Sequence, residues 1–215
     1  MNGDERIEQA RLLYEQAVFG GDRSAPEAAD RALDAVEADL ALARGRLLHA
    51  RFLDERVEDP RELALFESAA RLYQRLGDPR GEAEALFWVG TFHQVIREDN
   101  DAALPALQRS YELATRAGDR LTMSYAVRHL GFADLAAGSV EAGRERLEES
   151  VRLRREIGFR PGVAAGLVSL AYLHAEQGRD EEATALLAEA GEIAAACGAH
   201  GVLRWVAEAQ ARRQG

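Results

Sequence analysis

Three polar residues stand at intervals that invite chemistry: His93, Asp134 and His174, separated by 41 and 40 residues. A carboxylate between two imidazoles can orient both by hydrogen bonds, and His/Asp sets also coordinate divalent metals. If the chain repeats at that period, the three stack as a column across neighbouring elements. The plainer expectation is a polar ladder between repeats, because clustered titratable groups are often structural. The three therefore stand as acid–base or metal candidates only, and no cofactor is expected. His49 lies one step further upstream, in a register the spacing does not settle. His174-Ala-Glu176 has the H-x-E form of a zinc deaminase, but Cys197 is the single cysteine and such a site needs a pair. Cys197 reads instead as a small buried group at a helix end. No phosphate-cradling GxxxxGK, no GxGxxG, no HExxH and no GxSxG occurs.

The 215 residues carry a formal charge of −10, with 27 arginines and no lysine. That balance repels a phosphate backbone, so no nucleic-acid partner is expected. No stretch approaches the roughly 18 apolar residues of a membrane span, and the N-terminus lacks a basic region followed by an apolar core. A cytoplasmic protein is expected. The most basic region, Arg144, Arg146, Arg152, Arg154 and Arg155, is interleaved with Glu145, Glu148, Glu149 and Glu156. Helical spacing turns it into a solvated face of paired charges.

The elements that must position these residues follow from Gly77, Gly118, Gly158 and Gly198, each closing a helix-like run, at separations of 41, 40 and 40 residues. A fixed period of that size means a repeat architecture. Repeats fall at 79–119, 120–159 and 160–199. Before them come N-terminal helices over 1–36 and a degenerate repeat over 37–78, and after them a capping helix over 200–215. Residues 5–18 form an amphipathic stripe. Ser24 with Glu27 reads as a capping box, and Asp59-Pro60 and Asp78-Pro79 as helix starts. Residues 25–55 are one long helix or two that break near Glu37. No strand-period alternation appears.

Within each repeat a bulky and a small residue sit side by side, Val89-Gly90, Leu130-Gly131 and Leu170-Ala171. Small Ala85, Ala126 and Gly166 precede them by five. The second helix carries Ala103, Leu107, Ser110, then Gly143, Leu147, Ser150, then Ala183, Leu187, Ala190. A glycine closes the hairpin at Gly138 and Gly178, with Glu98 in that place in the first repeat. These residues resemble the tetratricopeptide repeat family, in the longer variant of about 40 residues known in bacterial regulatory proteins. The resemblance implies one all-α domain, a right-handed superhelical solenoid of antiparallel hairpins with about nine helices. It also implies a concave groove lined by Glu84, Phe87, Thr91 and Gln94, by Tyr125, Arg128, Phe132 and Leu135, and by Ala165, Val168, Tyr172 and Ala175. The expected function is a non-catalytic interaction module that holds a peptide or partner protein there. The alternative is a small-molecule-binding protein or enzyme using His93, Asp134 and His174. A homodimer through the C-terminal helix is a further expectation, since Trp205 cannot turn inward together with Leu203, Val206 and Ala207.

Overall fold

The structure is a computed structural model in which residues 4–212 are described. Among them there is no strand. Ten α-helices follow one another: α1 (Glu5–Gly20), α2 (Ala25–Glu55), α3 (Glu62–Leu76), α4 (Pro79–Thr91), α5 (Asn100–Ala117), α6 (Arg120–Ala136), α7 (Val140–Glu156), α8 (Arg160–Glu176), α9 (Asp180–Ala196) and α10 (His200–Arg212). A π-helical turn, Phe92–Ile96, continues α4. No helix is long and apolar enough to cross a membrane.

Local chemistry accounts for most boundaries. Asp78 accepts hydrogen bonds from the amides of Arg80 and Gly81 at 3.0 and 3.1 Å, with Pro79 at the first helical position. Asp119 does the same for Leu121 and Thr122. Such side-chain oxygens satisfy amides that the first helical turn leaves unpaired. The capping box read at Ser24 does not form. Ser24 is already helical in φ and ψ, and its hydroxyl donates to Asp22 at 2.7 Å. Alanine and leucine carry α2 unbroken through Glu37, so the boundary expected at 36/37 lies inside one helix. Its interior Gly45 has a packing reason, because a Cβ there would lie 2.4 Å from the Phe66 ring.

The hairpin turns show where the uneven period comes from. Gly77 to Glu98 spans 21 residues, whereas Gly118 to Gly138 and Gly158 to Gly178 span 20. Glu98 takes the left-handed conformation (φ +53°) that Gly138 and Gly178 take elsewhere. The extra residue is absorbed by the π turn, which lets one more residue into a helix without breaking it.

The chain forms two compact units, Met1–Ala117 and Gly118–Gly215. In each, every helix packs on the next in sequence. The first has a core of Ala38, Leu42, Phe66, Ala69, Leu72, Tyr73 and Ala85. The second has a core built from α7 to α10, including Leu147, Val163, Leu167, Leu187 and Val206. The small-large-small series of α5, α7 and α9 is buried throughout and locks the hairpins. Leu107 fills the space over Gly90, and Ser110 and Ser150 donate at 2.7 Å to the carbonyls of Ala83 and Ser124 on the facing helix. At the C-terminus α10 turns Val202, Val206 and Ala209 inward. Trp205 is exposed as read from the sequence, but so is Ala207.

Candidate functional site

The second unit holds a guanidinium in an unusual setting. Arg128 lies on α6 with Phe132 one turn on, and its guanidinium stacks 4.6 Å from that ring. Its Nη2 donates to the Ser169 hydroxyl of α8 at 2.8 Å, while its Nε is covered and bonded to nothing. Among the described residues no carboxylate pairs with it. Burial, with repulsion from Arg154 next, pushes the Arg128 pKa down to about 9, partly offset by Tyr125. The group still carries its charge at neutral pH. Beside it a cleft of about 270 Å³ is lined by Phe132, Leu135, Ser169, Tyr172, Leu173 and Glu176. Arg212 of α10 sits 5.9 Å from the Tyr172 ring. Aromatic walls, two guanidiniums and one rim carboxylate thus meet on the α6, α8 and α10 side of this unit.

Arg154 corrects the sequence reading. Arg144 and Arg152 do form the expected pairs with Glu148, Glu149 and Glu156 at three- and four-residue spacing, and Arg144 also pairs with Glu141. Arg155 and Arg146 reach Glu189 and Asp134. Arg154, in the same run, is only 2% exposed. It donates to the Gly162 carbonyl at 2.9 Å and lies 5.1 Å over the Tyr125 ring. Desolvation lowers its pKa to about 10. Its periodicity was right, but the helix α8 packed over it takes that side out of water.

The other sequence candidates are distributed as follows. Tyr125, Phe132 and Tyr172 are half-buried around Arg128. Phe87 (3% exposed) and Thr91 (2%) are closed off inside the first unit, with Phe87 packed against Trp88. Glu84 pairs with Arg46 at 3.1 Å, and Gln94 donates to Asn100 at 2.8 Å. Asp134 forms its ion pair with Arg146 of the same hairpin at 3.1 Å. His174 has a covered Nδ1 without a partner, and burial followed by Arg179 lowers its pKa. No hydrogen bond joins Asp134 to His174. His93 falls within the π turn of the first unit. Among the described residues no group of three or more His, Cys, Asp and Glu side chains could hold a metal.

A buried pair in the first unit escaped the sequence reading. His49 Nδ1 and Glu62 Oε1 lie 3.0 Å apart, Glu62 is wholly buried, and its Oε2 has no partner. Trp88 meets His49 edge-on at 5.2 Å and stacks on Phe66. Glu62 sits in the first turn of α3, a place where an acid is normal at the surface. Nothing local marked it as internal. No protein-family model matches the chain, and no similar curated protein is found.

Proposed function

We propose that this protein is a non-catalytic interaction module of tetratricopeptide-like, right-handed helical repeats, and that its second unit holds a peptide segment of a partner protein. The supporting observation is Arg128, a half-buried guanidinium with no carboxylate partner among the described residues, beside a cleft walled by Phe132 and Tyr172. A partly desolvated cation without a counterion costs stability, and a ligand that supplies the anion recovers it. Aromatic anchors with an arginine are also the composition of binding hot spots. The fitting segment carries an Asp or Glu next to a Leu or Phe, the carboxylate toward Arg128 and the apolar group in the cleft. Glu176 at the rim favours a basic residue further along.

The test is an NMR titration of isotope-labelled protein with short peptides bearing one Asp or Glu beside a Leu or Phe. The same peptides with Asn or Gln serve as the comparison. Shifts confined to α6, α8 and α10, lost with the amide peptides and with Arg128→Met, are expected. Equal binding of the amide peptides would sink the reading.

A further inference from the structure

Of the 14 large apolar side chains exposed among the described residues, 10 lie between Ile7 and Val57. On α2 they are ordered. Leu33, Leu40 and Leu47 follow at seven-residue steps and are 39%, 48% and 64% exposed. Val36, Ala43 and Ala50 stand three residues after each. Apolar residues at these two heptad positions are the pattern of a helix that pairs with another helix. Beside this seam runs a second seven-residue row, Asp30, Glu37, Arg44 and Arg51, all exposed. Among the described residues none of the four forms a salt bridge or side-chain hydrogen bond, although Asp59 feels the charge of Arg51. The other flank is already engaged, since Asp39 binds Arg6 and Tyr73, and Arg46 binds Glu84.

We infer that two copies of this chain pair through α2, antiparallel and about a two-fold axis near Leu40. The row of two acids followed by two bases is complementary to itself only when reversed. Asp30 then meets the second copy's Arg51, and Glu37 its Arg44, with the same two contacts repeated by symmetry. The seam is complementary in size as well. Leu33 faces Ala50, Leu40 faces Ala43, and Leu47 faces Val36, so each large side chain meets a smaller one. A parallel pair is poorer on charge, because the attraction it sets between Asp39 and Arg44 is offset by a repulsion between Arg46 and Arg51. The cleft of about 720 Å³ walled by Arg44, Leu47, Arg51, Pro60 and Leu65 leaves the α3 side of the seam open to a second helix.

The experiment is sedimentation equilibrium on the whole protein and two charge variants, with circular dichroism confirming the fold of each. The parent is expected at twice the 23.5 kDa of one chain. Arg44→Glu with Arg51→Glu makes the row all acidic, and Asp30→Arg with Glu37→Arg makes it all basic. Each variant alone is expected at the mass of a single chain, and an equimolar mixture is expected to return to the dimer mass. Three results overturn the proposal: a parent monomeric at every concentration, which leaves the seam to a foreign helix; a dimer that survives in either variant, which moves the contact elsewhere, for instance to Trp205; or a mixture that stays monomeric.

Discussion

Arg128 and His174 are held partly out of water beside other cations, and each carries a prediction. Replacing Arg128 by methionine removes a desolvated charge and its repulsion with Arg154 while keeping the alkyl stem against Phe132. The variant is expected to gain about 1 kcal/mol or more in chemical unfolding, and to lose acidic-peptide binding. A purely structural arginine would show the opposite stability change. The His174 ring resists protonation because it is desolvated and faces Arg179 and Arg144, with Glu182 and Glu148 pulling the other way. Its folded pKa is lowered, so as pH falls through the imidazole range the unfolded chain takes up a proton that the folded chain refuses. Stability is therefore full above that range and falls below it. His174→Gln is expected to flatten the decline between neutral pH and about pH 5 in melting temperature. An unchanged slope would assign the loss to other groups. Neither environment was legible in the sequence, and the same holds for Arg154 and Glu62, which look like ordinary surface residues until their neighbours arrive.

At the scale of elements, the glycines separate packing from backbone entropy. At Gly90 a Cβ would lie 2.5 Å from Leu107 Cγ, a fully buried side chain, and 3.2 Å from the Ala103 carbonyl. Gly90→Ala should cost about 1–3 kcal/mol by forcing α4 and α5 apart. Gly191, inside α9, would meet only Val206 at 3.8 Å. Gly191→Ala should instead stabilise by about 0.5–1 kcal/mol, because alanine restricts the unfolded chain and the native site has room. Thermal melts of the two variants that move in the same direction would refute this account. The interlock was readable because close helix packing demands small residues at fixed spacing. The π turn was only half readable. An interval of 41 instead of 40 announced an extra residue, but backbone hydrogen bonding decided that α4 would absorb it after Thr91 instead of a loop.

At the scale of the molecule, the buried apolar cluster of the second unit lies wholly within its own residues. A fragment spanning 118–215 is expected to be helical and to melt cooperatively, by circular dichroism, since every residue of this cluster lies within it. A non-cooperative melt would show that it depends on residues before 118. By itself the sequence determined an all-helical chain, the placement of the hairpins and the buried small-large-small series. Those features follow from periodicity and turn chemistry, which act over a few residues. Tertiary structure alone decided that α2 is one helix with an unpartnered seam, that Arg154 is withdrawn from water and Arg128 half covered, and that Asp134 answers to Arg146. Those outcomes depend on which side of each helix a distant neighbour covers, and burial by a neighbour is not written in any local pattern.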